Sequence, residues 1–322
     1  MATTRRQFMQ WSATGLAAGL PVLGHAQGLD KLLRITVPYG AGTATDLIAR
    51  FVAERAKAHS GGPLVVENKP GADGNIAAEA VARSGPESYN VLISGSSTHA
   101  ANAGLYSKLP YDPEKDFTPL TTLATAPFFL VANPQRVPAK TVAELVALAR
   151  TKPLSFASAS VGGRVAGEKF VAMAGIDAVH VPYVTSSRAM VDLLGGQFDC
   201  FFADSVSAGP HIKAGKINAL AVTVARRVAF LPDVPTLAEL GYEGFDISAW
   251  IAAWSAASTP ADVSRRLASW FSAAVDSAEG RSLLVERGFT PLPGTPEQLR
   301  LLQARDTIEW GKAIKAAGLA RS

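Results

Sequence analysis

Arg34-Ile35-Thr36-Val37-Pro38-Tyr39-Gly40-Ala41-Gly42-Thr43-Ala44-Thr45-Asp46, running into Leu47-Ile48-Ala49-Arg50-Phe51-Val52, reads as a buried strand, a glycine turn and a helix. The strand rests on the β-branched run Ile35, Thr36, Val37, which Pro38 stops. The helix rests on Leu47, Ile48, Phe51 and Val52 recurring at helical spacing behind Thr43 or Thr45 as a cap, with Asp46 in the first turn. A strand that feeds such a turn points free backbone N–H groups out of the carboxyl edge of its sheet. The helix dipole adds to them, so the edge favours an anion.

With 322 residues, 48% hydrophobic and 18% charged, the chain is globular and long enough for one large domain or two ordinary ones. Its formal charge is +4, of which Arg5 and Arg6 supply two, leaving +2 for the rest. The remaining basic residues are scattered, with Arg226-Arg227 and Arg265-Arg266 as isolated pairs, and this excludes the stripe that nucleic-acid binding needs. Cys200 is the one cysteine, so no internal disulfide closes; set in the apolar run Phe198 to Phe202, it reads as a buried small hydrophobe.

Thr4-Arg5-Arg6-Gln7-Phe8-Met9, the apolar run Trp11 to Leu23 and the small residues of Gly24-His25-Ala26 resemble a twin-arginine export signal, cleaved to start the mature chain at Gln27. The apolar run is shorter than the about 20 residues that span a bilayer, and it is interrupted by Ser, Thr, Gly and Pro.

Beyond it, strands are expected at 33–38, 64–67, 90–94, 122–132, 154–158, 178–181, 199–203 and 218–223, and helices at 45–58, 74–83, 141–151, 164–174, 187–195 and 207–214. This alternation argues for parallel α/β layers. Two nearly uncharged stretches, Phe117 to Asn133 and Ser248 to Ser258, enclose a block with its own alternation. The simplest organisation is two lobes with the second inserted into the first: 27–125 with 228–322, and 126–227.

Three loops of small residues each follow a strand and precede a helix. The first, Gly40-Ala41-Gly42-Thr43-Ala44-Thr45, approaches the dinucleotide fingerprint G-x-G-x-x-G, and Glu67 ends the next strand, so a nicotinamide enzyme is a rival reading. Against it, Thr45 replaces the third glycine and Asp46 would repel a pyrophosphate. The second, Ser94-Gly95-Ser96-Ser97-Thr98-His99, concentrates hydroxyl donors; a hydrolase elbow would need glycine at His99. The third, Ser158-Ala159-Ser160-Val161-Gly162-Gly163-Arg164, precedes a helix expected near Val165. Tyr183 and Asp204 stand at further strand ends, where Asp204 either faces a ligand or caps the next helix. His25, His59, His99, His180 and His211 are isolated, so no metal site is expected; His180 and His211 read as structural.

The first loop, together with Val65-Val66-Glu67-Asn68-Lys69-Pro70-Gly71-Ala72-Asp73-Gly74-Asn75-Ile76 and Leu109-Pro110-Tyr111-Asp112-Pro113-Glu114-Lys115-Asp116-Phe117, resembles the tripartite tricarboxylate transporter substrate-binding receptors, the Bug-type extracytoplasmic solute-binding proteins. So do His180-Val181-Pro182-Tyr183, Asp192-Leu193-Leu194-Gly195-Gly196-Gln197, His211-Ile212-Lys213-Ala214-Gly215-Lys216 and Leu231-Pro232-Asp233-Val234-Pro235-Thr236, in order along the mature chain.

The resemblance implies an α/β, two-lobed periplasmic-binding-protein fold (type II-like) with a ligand cleft between lobes. It also implies a periplasmic monomer that binds a small organic carboxylate, without cofactor or catalysis, and hands it to membrane transporter subunits. The proximal contacts it implies are Tyr39, Gly40, Ala41, Gly42, Ala44, Asp46, Ser94, Ser96, Ser97, Thr98 and His99; the distal ones are Ser158, Ser160, Val161, Gly163, Arg164, Tyr183 and Asp204. The chain departs from the pattern in lacking a third glycine near Thr43, in a shorter third loop bearing Arg164, and in Val184-Thr185 after Tyr183. Arg164 is then either a contact to a second carboxylate, favouring a dicarboxylate or aromatic diacid, or an exposed arginine at a helix start. The alternatives are an exported α/β enzyme, NAD-linked or a serine hydrolase, and a sensor subunit.

Overall fold

The computed structural model describes residues 29–320; the expected export signal lies outside them. The chain runs β1 (Leu33–Val37), α1 (Ala44–Ser60), β2 (Leu64–Asn68), α2 (Asn75–Ala82), β3 (Tyr89–Gly95), a π-helical turn (Ser97–Ala101), α3 (Asn102–Leu105) and β4 (Phe117–Ala132). It continues with α4 (Val142–Ala149), β5 (Leu154–Ser158), α5 (Val161–Ala174), β6 (Ala178–Pro182), α6 (Ser186–Leu194), β7 (Cys200–Asp204), α7 (Ser205–Lys213) and β8 (Asn218–Val222). The last elements are β9 (Ser248–Ala256), α8 (Ala261–Asp276), α9 (Ala278–Glu286), β10 (Thr290–Pro291) and α10 (Pro296–Ala316).

One sheet holds the strands in the order β2-β1-β3-β9-β4-β7-β5-β6, with β8 and β10 also on β4. β4 is the spine. Through Pro127 it pairs β9, and from Phe128 onward it pairs β7 and β8. Its length follows from composition: sixteen residues without a charge, with Phe128 to Ala132 all buried, carry it through both halves of the core.

Strand polarity then fixes where a site can form. β1, β2 and β3 are parallel, β9 is antiparallel to β3, and β4 is antiparallel to β9, so β4 runs in the direction of β3. β7 is antiparallel to β4, while β5 and β6 run with β7. The carboxyl ends of β1 and β3 therefore point toward those of β5, β6 and β7, and the loops of one half face those of the other. Ligands of open α/β sheets bind at such edges.

Three expectations need correction. The sheet is mixed, not parallel throughout, because β9 and β4 enter antiparallel between the two parallel sets. Uncharged strands buried on both faces do not disclose their direction in sequence. β4 begins at Phe117, well before 122. Finally, α5 starts at Val161, four residues ahead of its expected start, because Ser160 accepts the Gly163 amide as an N-cap. The two glycines behind that cap sit where a side chain has no room: a Cβ on Gly162 would lie 2.6 Å from Phe128 Cζ, and one on Gly163 2.9 Å from the Phe202 carbonyl. Arg164 is thus on the first turn of α5.

Candidate functional site

In the first loop, Gly42 takes φ +78°, and the chain turns back so that its amide donates to Asp46 Oδ2 at 2.8 Å. Arg50 Nε donates to the same oxygen at 3.0 Å, and Asn68 Nδ2 donates to Asp46 Oδ1 and to the Tyr39 carbonyl, both at 2.9 Å. Burial alone would raise the Asp46 pKa, but these donors outweigh it and hold the carboxyl below its usual range. Asp46, only 1% exposed, is therefore the clamp of the loop, with both oxygens committed inside it. Asn68, at the end of β2, is a partner that sequence reasoning quoted but gave no role.

Thr43 sits at the N-cap of α1 with extended backbone, yet its hydroxyl turns back to the Gly40 carbonyl at 2.8 Å and caps no helical amide. The first turn of α1, at Ala44 and Thr45, is left without a side-chain cap, beside exposed Ala41 and Gly42. The π-helical turn likewise begins at Ser96 without one.

The second loop is held from beneath. Ser94 Oγ and Thr98 Oγ1 are 2.8 Å apart, Thr98 Oγ1 is 2.9 Å from His99 Nδ1, and Tyr111 donates to the Thr98 carbonyl at 2.8 Å. Tyr39 links the two loops: burial raises its pKa, while the hydroxyls of Ser97 and Ser94 at its phenol lower it. His99 lies flat on Trp254, ring centroids 3.7 Å apart, with the Phe117 edge at 4.7 Å. It is 1% exposed, burial depresses its pKa to about 3, and its Nε2 is buried without a partner. The uncharged ring is part of the core, so the expected ligand contact from its side chain has no exposed atom to make it. Trp254 and Phe117 were not foreseen here, since both come from distant uncharged strands.

On the facing half, each helix start is closed by its own chain. Ser160 caps α5, Thr185 caps α6 by accepting from Arg188, and Asp204 caps α7 by accepting from the Ser207 amide at 2.9 Å. Between the two readings of Asp204, the structure shows the cap. Tyr183 turns its hydroxyl to Asp192 of α6 at 2.9 Å, while its amide donates to the Ser158 carbonyl. Ser158 Oγ lies 2.8 Å from His180 Nε2, and the neighbouring Arg164 carries the charge of this edge.

Two contacts join the halves beside these loops. Trp310 of α10 covers Gly162, and Ser205 Oγ donates to the Arg287 carbonyl at 2.6 Å. A cavity of about 180 Å³ next to the latter, lined by Ser205, Lys213, Phe230 and Arg287 among others, lies off the loop cluster. Among the described residues no group of three or more His, Cys, Asp or Glu is placed to hold a metal ion, and no helix is long and apolar enough to cross a membrane.

Two half-sheets whose strand ends point toward each other, with uncapped helix starts on one of them, are the arrangement of a two-lobed solute-binding receptor. Residues 48–319 match the tripartite tricarboxylate transporter family receptor, and the chain belongs to that family. Its members and structural neighbours are receptors, not enzymes.

The chain is 31% identical over 291 residues to Protein BugT of Bordetella pertussis, covering 89% of each. Among solved structures it resembles R. palustris Rpa4515 with adipate, at 32% identity and TM-score 0.85 over 90% of this chain and 98% of that one. It also resembles MatC (Rpa3494) from Rhodopseudomonas palustris with bound malate, at 30% identity and TM-score 0.78 over 88% and 99%.

Proposed function

We propose that this receptor captures a small organic carboxylate in the periplasm and delivers it to the membrane subunits of a tripartite tricarboxylate-type transporter. The observation that carries the reading is the pair of uncapped helical starts at Ala44 and Ser97, side by side on one lobe with the hydroxyls of Tyr39 and Ser97. Amides of that kind are the expected partners of a carboxylate. The adipate and malate in the two related structures support the same ligand chemistry.

In this reading Tyr39, Gly40, Ala41, Gly42, Ala44 and Ser97 meet the carboxylate. Asp46, Ser94, Thr98 and His99 hold the two loops in place. Lobe 2, bounded near residues 126 and 227, closes over the ligand as a monomer's hinge motion, with Ser158, Ser160, Val161 and Gly163 along its rim. Export by a cleaved twin-arginine signal belongs to the same proposal.

A thermal-shift screen of the mature chain against mono-, di- and tricarboxylates tests it. A ligand at a hundred times its Kd adds about 2.7 kcal/mol of stability. The reading fails if no carboxylate raises the melting temperature while a nucleotide does.

A further inference from the structure

We propose that Thr223 is the pin of the hinge: it fastens the two interlobe crossings of the chain to each other, so that lobe 2 swings as one body about a single axis. The inference rests on the closing receptor proposed above and adds the positioning residue through which the closure is governed.

The sheet itself locates the hinge. β4 pairs β9 as far as Pro127 opposite Ser248, and the next pairs on β4 are with the second half, Phe128 with Asp204 of β7 and Phe129 with Val222 of β8. Continued by one residue, the β4–β9 register would set Phe128 opposite Ile247. Thr223, directly after β8, stands between them instead. Its amide donates to the Phe128 carbonyl at 3.0 Å, and its hydroxyl accepts the Phe128 amide at 3.0 Å. On its other side the Ile247 amide donates to the Thr223 carbonyl at 2.8 Å, and the hydroxyl donates to the Ile247 carbonyl at 2.6 Å.

One side-chain oxygen thus serves both crossings, as acceptor for β4 and as donor for the segment that enters β9. A hydroxyl offers both functions at once. Thr223 is 0% exposed, so water has no access to take over these bonds. Pro127 has no amide to give, which leaves the β4 ladder weakest where its partner changes. Trp310 on Gly162 and Ser205 on the Arg287 carbonyl each touch one segment of the opposite half, whereas Thr223 binds both crossings. With the hydroxyl in place, neither crossing bends without carrying the other. Without it, a buried amide and a buried carbonyl lose their partner, and each crossing turns by itself.

Spin labels at Ala58→Cys on α1 and Ala172→Cys on α5, both exposed, report the distance between lobes by double electron–electron resonance, with no ligand added. Buried Cys200 is out of the label's reach. Thr223→Val keeps the shape of the side chain and loses the hydroxyl. It should widen the distance distribution by about 1.4-fold or more, because two independent rotations of similar size add their variances. Thr223→Ser retains the oxygen and should give the parent's distribution.

A threonine that only supports the fold would lower the melting temperature of Thr223→Val and leave the distribution unchanged. That result overturns the pin, as does a Thr223→Ser distribution as wide as that of Thr223→Val. Should Thr223→Val fail to fold, hydrogen exchange on the unaltered chain decides. The Phe128 and Ile247 amides should then exchange only through global unfolding, with equal protection, and faster exchange of either one overturns the proposal. No carboxylate enters these measurements, so a ligand screen that finds nothing counts against the receptor reading alone, which separates the two failures.

Discussion

The helix starts at the facing strand ends are finished in opposite ways on the two lobes. On lobe 2, α5, α6 and α7 are each closed by a side chain from their own sequence: Ser160, Thr185 and Asp204. On lobe 1, α1 and the π-helical turn have no such cap: the Thr43 hydroxyl turns to the Gly40 carbonyl instead, and Ser96 is itself helical, behind Gly95, which has no side chain to offer. A cap contributes about 0.5–2 kcal/mol, so lobe 1 carries an unmet demand for an acceptor that lobe 2 has satisfied internally. In the proposed reading the difference sets the order of capture: lobe 1 gains from an anion first, and lobe 2 adds its contacts on closing.

That order requires a rigid lobe 1, and the largest expected effect tests the rigidity. Gly95 ends β3 in register with Ile251, so close to β9 that a Cβ would lie 1.8 Å from the Trp250 carbonyl oxygen. Gly95→Ala should cost on the order of 3 kcal/mol or more, seen as a lowered urea midpoint, because backbone cannot yield as a side chain does. Gly40→Ala, in the loop after the neighbouring strand β1 and open within 4 Å, should stay within about 0.5 kcal/mol. Equal losses at both positions would mean that the β3–β9 contact does not fix the second loop.

The next effect is a pH dependence seated beneath that loop. Unfolded, His99 titrates near its ordinary 6.5; folded, burial holds it at about 3. Between those values the unfolded chain binds the extra proton. Stability is therefore full above pH 6.5 and declines as pH falls toward 3, with a slope of up to about 1.4 kcal/mol per unit from this group. His180, at about 4, adds a contribution of the same sign over a shorter window. His99→Phe keeps an aromatic ring on Trp254 but cannot titrate. Urea titrations at pH 7 and pH 5 should therefore show a smaller drop for the variant than for the parent, and an unchanged drop would place the acid sensitivity elsewhere.

What the sequence disclosed and what it hid follow the same division. The Ile35–Val37 strand, its glycine turn and the helix behind it are local events, written in β-branched residues and helical spacing, and they stand where expected. The start of α5 was hidden because Gly162-Gly163 lowers helix propensity; the need for glycine comes from Phe128, Trp310 and Phe202, all remote in sequence. His99 looked like a loop residue because Trp254 and Phe117, which enclose it, arrive on other strands. Tyr183 and Asp204 were placed at the correct strand ends, but their polar atoms turn to Asp192 and Ser207 in the helices that follow. Position at an edge was readable; the direction of a side chain was not.

The smallest effect bears on the capping contrast itself. Ser160→Ala removes the oxygen that accepts the Gly163 amide at 3.1 Å and should cost about 1 kcal/mol of stability in the unliganded protein. The Gly163 amide is then left without its acceptor, so lobe 2 acquires an unpaired donor of the kind that lobe 1 already has. If open helix starts attract the ligand, part of that loss returns on binding, and the variant should bind its carboxylate at least as tightly as the parent while melting lower without it. Tighter binding paired with lower intrinsic stability would extend the capture rule from lobe 1 to lobe 2. A drop in affinity instead would show that Ser160 touches the ligand, and that lobe 2 recognises it through side chains where lobe 1 uses backbone.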